Sequence, residues 1–222
     1  MHLDGRLTAV ADMIRPCEAF ADIGTDHAYL PVYLVEKGIA KHAIASDLRK
    51  GPLNNARETV NEHCLQDEIE LRLSDGLDNF EPYEVTEIAV AGMGGLLISE
   101  FIERTNWLKN PDIHIVLQPM THSEELRKAL YDNGFYIDRE CAAIEGGKLY
   151  VVISAFYGGE KTEYDNIDLI VGKLPQNNDE ISNEYLCHLY ERYNKKLIAL
   201  ENAHKECGSL RNIVTELRKW QR

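Results

Sequence analysis

Apolar positions along the chain alternate between short continuous runs and longer segments with helical spacing. The short runs are bounded by turn residues, which is typical of buried strands. They cover 19–23, 43–45, 69–73, 88–91 and 113–117. The segments with helical spacing cover 29–38, 51–63, 96–108 and 123–134. Strands that alternate with helices predict an α/β fold, in which helices cover both faces of a parallel sheet.

The pattern changes at both ends of this alternation. Positions 135–143 and 149–156 are two apolar runs with no helix between them, and a Glu-Gly-Gly-Lys turn at 145–148 joins them. The sheet is therefore predicted to end in an antiparallel hairpin. Before the first strand, apolar residues at helical spacing predict a helix over 6–14.

The chain after Tyr157 is predicted to form a separate unit. Positions 158–180 are mostly polar and predict a linker with one short helix at 167–171. Two amphipathic segments follow, and Gly208 between them is predicted to end the first helix. Two such helices joined by a tight turn predict an antiparallel helical hairpin. We therefore divide the chain into a main domain, 1–158, and a linker with a helical hairpin, 159–222.

The net charge changes along the chain. The 222 residues include 37 acidic and 24 basic side chains, a net charge of −13. This charge opposes a nucleic-acid partner, because phosphate neutralisation supplies most non-specific affinity. From Tyr185 onward, however, eight basic residues stand against four acidic ones. The asymmetry indicates a basic module on an acidic body, although a solvated helix face would carry the same charges.

Composition also excludes several classes of protein. The five cysteines are odd in number and contain no C-x-x-C, which argues against a disulfide framework and a zinc site. No apolar run approaches the ~20 residues of a membrane helix, and the first residues lack the pattern of a signal peptide. We expect a cytoplasmic protein with no membrane partner and no metal.

Polar and glycine-containing loops follow the predicted strands. In doubly wound sheets the ligand crevice lies beyond the carboxyl ends of the strands. The first strand runs into Asp-Ile-Gly-Thr-Asp-His over 22–27, which holds one glycine and two carboxylates. The G-x-G-x-x-G fingerprint of a dinucleotide site is missing, so a dehydrogenase is disfavoured. A ligand with a cationic or polyhydroxy end suits this loop better.

The later loops extend the same pattern. Asp47 ends the second strand, where an acidic residue can accept both hydroxyls of a ribose. Residues 74–76, Ser-Asp-Gly, end the third strand and offer a carboxylate and a backbone N–H to an adenine. The glycine-rich loop over 91–95 leaves space for a bulky second substrate, and Gln118 ends the fifth strand. Together these loops favour S-adenosylmethionine over any phosphorylated cofactor.

The motifs DIGTDHAYLP, ASD, GPLNNA, SDGL, AGMGG and QP, in this order, resemble those of the bacterial tRNA (adenine(22)-N(1))-methyltransferase family, the TrmK-like proteins. The resemblance covers nearly all of 3–157, and DIGTDHAYLP and AGMGG are its distinctive parts. It implies a class I methyltransferase fold with a Rossmann-like seven-stranded sheet, an antiparallel last strand and a C-terminal coiled-coil hairpin. It also implies an enzyme that uses S-adenosylmethionine to methylate N1 of an adenosine in tRNA.

The resemblance and the loop positions together give the expected cofactor-binding residues. They are Asp22, Gly24, Thr25, Asp26, His27, Asp47, Leu48, Ser74, Asp75, Gly76, Ala91, Gly92 and Met93. For Asp47 and Asp75 the alternative role is a helix or turn cap. For Met93 the alternative is to fill core space.

The candidate catalytic residues are Asp26, His27 and Gln118. Asp26 is expected to accept a hydrogen bond from the adenine amino group, or else to cap the following helix. His27 and Gln118 are alternatives for holding the edge of the base, and His27 is equally a candidate for a packed histidine. Because neutral adenine N1 has a lone pair, we expect positioning to matter more than a general base.

Basic residues near the strand ends and on the hairpin are expected to bind tRNA. They are Arg6, Arg49, Lys50, Arg192, Lys195 and Lys196. The hairpin is equally suited to packing or dimerisation, and we take a monomer as the working expectation. Two other functions stay open: transfer from the same cofactor to another RNA or a small metabolite, and a non-catalytic RNA-binding protein on this scaffold.

Overall fold

The computed structural model describes residues 1–221; Arg222, the last basic residue of the C-terminal segment, lies outside the described residues. One sheet contains β1 Cys17–Ile23, β2 Ala40–Asp47, β3 Ile69–Leu73, β4 Glu87–Gly94, β5 His114–Thr121, β6 Phe135–Glu145 and β7 Lys148–Tyr157. The helices are α1 Gly5–Ala11, α2 Tyr29–Glu36, α3 Lys50–Glu62, α4 Gly95–Arg104, α5 Ser123–Asp132, α6 Asn166–Val171, α7 Glu180–Asn202 and α8 Gly208–Leu217.

The seven strands lie in the order β3-β2-β1-β4-β5-β7-β6. The strands from β1 to β5 pair in parallel, whereas β7 pairs antiparallel with both β5 and β6. This confirms the predicted doubly wound sheet with an antiparallel last strand. The strand order reverses between β1 and β4, and such a switch point opens a crevice at the carboxyl ends of the strands.

Helices cover both faces of the sheet, and each face has its own apolar core. One core contains Phe20 of β1, Val32 of α2 and Val60 of α3. The other contains Ile102 of α4 and Leu130 of α5. The sheet is therefore buried between two helical layers, which is why its parallel strands are nearly continuous apolar runs.

The observed elements differ in length from the predicted ones in two ways. A strand is longer where polar residues also pair with the neighbouring strands, and a helix is shorter where the backbone dihedral angles leave the helical region. The predicted strand at 43–45 extends to Ala40–Asp47, because β2 pairs with β1 and β3 through its polar residues as well. The predicted helix over 96–108 is wrong at its end: α4 stops at Arg104, where Thr105 has ψ 83°, and a 3₁₀ turn follows. The helix predicted over 6–14 ends at Ala11.

The turn between β6 and β7 confirms the predicted hairpin. Gly146 and Gly147 have φ of 56° and 72°. A two-residue turn with positive φ at both positions matches the twist of the flanking strands and strongly favours glycine.

The segment predicted as a linker packs against the sheet domain. Ile170, Val171 and Leu174 are buried in the same core as the residues of α4 and α5. Arg127 of α5, fully buried, forms an ion pair with Glu140 of β6 at 2.8 Å and donates to the backbone oxygen of Leu169 at 2.7 Å. The chain after Tyr157 is therefore tied to the sheet through polar as well as apolar contacts.

Helices α7 and α8 follow as the predicted helical hairpin, but the role given to Gly208 is wrong. Helix α7 ends at Asn202, and the left-handed residue after it is His204, with φ 51°. Gly208 instead begins α8. Leu189 of α7 and Leu217 of α8 are buried against the core of the sheet domain, so the hairpin packs on that domain.

Within residues 1–221, no helix is long and apolar enough to span a membrane. The same residues contain no cluster of three or more histidine, cysteine, aspartate or glutamate side chains placed to hold a metal ion.

Candidate functional site

A pocket of about 450 Å³ lies at the carboxyl ends of β1, β2, β4 and β5, a volume typical of small-molecule sites. Its lining residues come from the loops after these strands and from α1 and α2. They are Asp4, Arg6, Leu7, Asp22, Gly24, Thr25, Asp26, His27, Tyr29, Leu30, Asp47, Arg49, Ala91, Gly92, Met93 and Met120. The pocket occupies the switch point of the sheet.

The loop between β1 and α2 has an unusual backbone. Gly24, Asp26 and Ala28 have φ of 81°, 48° and 55°. A Cβ on Gly24 would lie 2.2 Å from the Cε of Met93, so a side chain at position 24 conflicts with both the backbone and this contact. Left-handed non-glycine residues cost of order 1–3 kcal/mol each and cluster at ligand sites.

Asp26 does not cap the following helix. The N-cap of α2 is Ala28, and no side chain accepts from the first N–H groups of that helix. The Asp26 carboxylate is 65% exposed, and its Oδ2 lies 3.7 Å from the Nε2 of His27. The capping alternative is therefore wrong, and the carboxylate remains available to a ligand.

Asp22 is a buried carboxyl group at the end of β1. Burial raises its pKa to about 6, while the neighbouring Thr25 and Arg6 act in the opposite direction and offset only part of this rise. The Thr25 hydroxyl is buried and has no hydrogen-bond partner of acceptable geometry within residues 1–221. Buried polar atoms are nearly always paired, so this hydroxyl indicates a place for a polar ligand atom.

Asp47 is buried at the end of β2, and its Oδ1 accepts from the backbone N–H of Arg49 at 2.8 Å. This contact is the turn cap considered as the alternative role. The same carboxylate lines the pocket. A carboxylate has lone pairs for about four hydrogen bonds, so the cap leaves capacity for a ligand.

Arg6 belongs to the pocket wall. Its Nε donates to Glu145 at 2.8 Å, and its Nη1 donates to the Oε1 of Gln118 at 2.8 Å. Gln118 is fully buried, and the same oxygen accepts from the backbone N–H of Gly92 at 3.1 Å. Gln118 therefore lies behind the pocket and positions Arg6 and the Gly92 loop, which is a different role from the predicted contact with the base.

Aromatic and thioether side chains form another part of the pocket wall. The rings of His27 and Tyr29 are stacked, with centroids 5.1 Å apart and an interplanar angle of 10°. Tyr29 is exposed, as is Met120 at the end of β5. Sequence reasoning missed both residues, although Tyr29 lies within the DIGTDHAYLP motif and Met120 follows the Gln-Pro pair.

The loop after β3 does not line this pocket. Asp75 forms an ion pair with Arg104 at 2.9 Å, and the Ser74 hydroxyl donates to the backbone oxygen of Gly76 at 2.9 Å. Leu48 is exposed outside the pocket as well. These four residues share the carboxyl edge of the sheet with the pocket, and their contact with a cofactor stays a prediction.

Five of the six basic residues expected to bind RNA fall into two groups, and the sixth, Arg6, is held in the pocket wall by Glu145 and Gln118. Arg49 lines the pocket, and Lys50 is the exposed first residue of α3. Arg192 and Lys196 of α7 line a separate groove of about 340 Å³, together with Tyr193 and residues 122–125. Lys195 is exposed on the same helix.

Residues that line the groove on α7 and residues that line the pocket are close in sequence after β5. Met120 lines the pocket, and His122 lines the groove two residues later. Arg192 forms an ion pair with Glu124 at 2.8 Å, and Glu125 also lines the groove, so two carboxylates balance its two cations.

A second polar cluster lies at the amino ends of the strands, away from the pocket. Glu87 and His114 begin β4 and β5, and the His114 Nδ1 is 2.7 Å from Glu87. The His114 Nε2 is 2.7 Å from the hydroxyl of Ser154. All three side chains are buried and none of them lines a pocket described above, so this serine–histidine–glutamate chain has the role of a buried structural network.

The pocket is chemically suited to a cationic ligand with a diol. It presents the carboxylates of Asp22, Asp26 and Asp47, and glycines at 24 and 92 let a ligand approach the backbone. Carboxylates outnumber the guanidinium groups of Arg6 and Arg49 in the lining, which disfavours a phosphorylated ligand.

Comparisons with known proteins agree with this chemistry. A methyltransferase-domain family model matches residues 3–153. The chain is 36% identical over 174 residues to the tRNA (adenine(22)-N(1))-methyltransferase of Bacillus subtilis, which covers 78% of this chain and 73% of that protein. The crystal structure of the B. subtilis M1A22 tRNA methyltransferase TrmK matches with a TM-score of 0.79 and 28% identity, over 99% of this chain and 96% of that one.

M. capricolum TrmK, whose structure contains the cofactor product S-adenosyl-homocysteine, matches with a TM-score of 0.80 and 26% identity, over 100% of this chain and 98% of that one.

Proposed function

The chain belongs to the tRNA (adenine(22)-N(1))-methyltransferase family, the TrmK-like proteins, and on this premise we propose that it transfers a methyl group from S-adenosylmethionine to N1 of adenosine 22 in tRNA. The observation that carries the proposal is the acidic pocket at the switch point of the sheet, which has the charge and the free polar groups for this cofactor. The choice of N1 of adenosine 22 as the methyl acceptor follows from membership of this family.

The residues present fit the cofactor. The buried Thr25 hydroxyl and the buried Asp22 carboxylate offer partners to the amino-acid end of the cofactor. Asp47 is placed to accept from ribose hydroxyls, and Gly24 and Gly92 leave room for the ligand beside the backbone. When bound, the cofactor supplies an electrophilic methyl group on a sulfonium centre.

The protein's own task is to position the adenine. Neutral N1 carries a lone pair, so the base attacks without losing a proton, and the methylated ring becomes cationic. Residues that place the base and present negative charge therefore lower the barrier more than a general base would. Asp26, exposed and free of a capping role, is the carboxylate best placed to accept from the adenine amino group.

Replacing Asp26 by asparagine is expected to slow single-turnover methyl transfer by about tenfold, because the variant no longer presents a carboxylate to the developing positive charge. Affinity for S-adenosylmethionine should fall by less than the rate does, because the exposed Asp26 carboxylate is better solvated than the buried Asp22. Quench-flow assays with saturating cofactor and tRNA measure the rate, and calorimetry measures cofactor binding. An unchanged rate would exclude this role for Asp26.

The adenine must leave its stack to enter the pocket. Enzymes that act on a base within structured nucleic acid extrude it and hold it against aromatic side chains. The stacked His27 and Tyr29 rings at the pocket supply such a surface. In this proposal His27 has a positioning role, as one half of an aromatic surface.

The groove on α7 is the proposed docking surface for tRNA. Lys196 lines it and Lys195 flanks it, and these exposed ammonium groups suit phosphates. Arg49 and Lys50 extend the positive charge on the other side of the pocket.

The double variant Lys195→Ala/Lys196→Ala is expected to weaken tRNA binding roughly threefold to tenfold at moderate salt, because two ammonium groups no longer neutralise phosphates. The slope of log affinity against log salt should fall by roughly 0.7–0.9 for each phosphate that is no longer neutralised. Filter binding over a salt series measures both quantities. Lys41→Ala/Lys109→Ala, which removes exposed lysines near the amino ends of β2 and β5, is the matched control. Equal effects in the two variants would contradict docking on α7.

Incubating the protein with unmodified tRNA and radiolabelled S-adenosylmethionine tests the activity. Mass spectrometry of the nucleosides identifies the modified base, and mass spectrometry of nuclease fragments locates it in the tRNA. 1-methyladenosine at position 22 is the expected result. Label in another RNA or in a metabolite fraction would favour a different acceptor, and cofactor binding without transfer would favour a non-catalytic role. The proposed location is the cytoplasm. The proposed oligomeric state is a monomer, which sedimentation velocity tests.

A further inference from the structure

Exposed apolar side chains are concentrated at the edge of the sheet that carries the pocket. Ten large apolar side chains are exposed within the described residues, and six of them follow or end strands at the carboxyl edge of the sheet. These six are Tyr29, Leu48, Leu73, Leu96, Leu97 and Met120. Surface apolar residues scattered singly need no explanation, whereas a group beside a polar pocket indicates contact with a partner.

Two of these side chains are adjacent in the first turn of α4. Leu96 is 49% exposed and Leu97 is 41% exposed. They follow Met93, which lines the pocket, by three and four residues. The first turn of α4 contains no acidic residue, so an RNA backbone meets no like charge there.

The start of α4 is held rigidly. A Cβ on Gly95 would lie 2.3 Å and 2.7 Å from the backbone oxygens of His122 and Thr121, so the helix begins in direct contact with the end of β5. Ile98 and Phe101 then anchor the helix in the core. The two leucines therefore project from a fixed element, as a residue that inserts into a base stack requires.

We infer that Leu96 and Leu97 form an apolar wedge that enters the base stack of the tRNA where the target adenosine leaves it. The inference rests on the proposed function. Extruding a base leaves a gap between its neighbours, and apolar side chains such as leucine fill unstacked steps in other nucleic-acid complexes. Leu96 and Leu97 do not line the pocket, so contact with the cofactor does not account for their exposure.

The double variant Leu96→Ala/Leu97→Ala tests the wedge. Single-turnover methylation of unmodified tRNA is expected to slow by about tenfold or more, because the variant no longer offsets the unstacking. A second tRNA carries abasic residues in place of the nucleotides that pair with and stack on the target adenosine. On this substrate the variant is expected to react within about twofold of the wild type, since no stack has to be opened.

Two controls separate the wedge from a loss of structure. Ile181→Ala, which removes an exposed apolar side chain at the start of α7, should leave both rates unchanged. Calorimetry with S-adenosylmethionine should give the same affinity for the double variant as for the wild type. Equal slowing on the two tRNAs, or no slowing on either, would overturn the inference. Failure of the wild-type protein to methylate either tRNA would instead overturn the proposed function.

Discussion

Replacing Arg127 by methionine is expected to lower the free energy of unfolding by about 3–5 kcal/mol, because it leaves the Glu140 carboxylate buried without its cation. Both side chains are 0% exposed, and their nearest charged atoms are 2.8 Å apart. Burial lowers the pKa of Arg127, but the Glu140 carboxylate more than offsets this and holds the pKa above its usual value. Urea denaturation followed by circular dichroism measures the change in stability.

The matched control is Arg192→Met. Arg192 forms an ion pair of the same length with Glu124, but Arg192 is exposed and Glu124 is only half-buried. Exposed pairs contribute only about 0–1 kcal/mol. If the two variants were destabilised equally, burial would not determine the strength of the Arg127 pair.

The Arg127–Glu140 pair also holds the chain after Tyr157 on the sheet domain, and this limits which variants can test tRNA docking. Arg127 also donates to the backbone oxygens of Leu169 and Ile170, and Glu140 accepts from the backbone N–H of Lys173. A truncation after Tyr157 would remove all three backbone groups and expose the apolar core beneath α7. Point changes on α7 therefore report on docking, whereas truncation reports mainly on folding.

Replacing Asp22 by asparagine is expected to weaken S-adenosylmethionine binding about 30-fold or more at pH 7.5, on the order of 2 kcal/mol, because the variant no longer presents a buried charge to the cationic ligand. Asparagine preserves the size of the side chain, so the change is mainly one of charge. Isothermal titration calorimetry measures the affinity. Asp112→Asn, an exposed carboxylate before β5, is the control and should bind as the wild type does.

Cofactor affinity is also expected to depend on pH through the ionisation of Asp22. The pKa of Asp22 is raised to about 6, so the carboxyl group gains a proton as the pH falls through 6. Wild-type affinity for the cofactor should therefore fall below pH 6, and the Asp22→Asn variant should not show this fall. A fall of the same size in both proteins would assign the pH dependence to another group.

The stability of the free protein should change in the opposite direction. The folded pKa lies above the ordinary value of 3.8, so the folded state binds the proton more tightly than the unfolded chain does. The contribution of Asp22 to stability should rise as the pH falls from about 6 towards 4. Comparing wild type with Asp22→Asn by urea denaturation at both pH values isolates this contribution from the other carboxylates.

Several pocket residues could be located from the sequence because they lie at the ends of parallel strands. Asp22, Asp47 and Gly92 each follow an apolar run, and parallel strands place such positions at one edge. Other pocket contacts depend on packing between distant segments and have no local pattern. Arg6 enters the pocket wall because α1 lies against the end of β6, where Glu145 holds its guanidinium.

The C-terminal segment shows the same division. The periodicity of α7 and α8 predicts two amphipathic helices, yet it does not say what their apolar faces contact. Polar spacing between 158 and 180 indicated a linker, because the few buried residues there are too sparse to form a pattern. Gly172 packs against Glu140 so closely that a Cβ would lie 1.9 Å from its Oε2, and only the folded chain reveals this proximity.

Strand periodicity and the loop motifs are local properties of the chain, and they were enough to predict the sheet, the order of its loops and the family. Three features became visible only in the folded molecule: Gln118 lies buried behind Arg6, Asp26 caps no helix, and the C-terminal helices pack on the sheet. The reason is that burial and charge pairing depend on which distant segments meet, and local patterns do not encode those meetings.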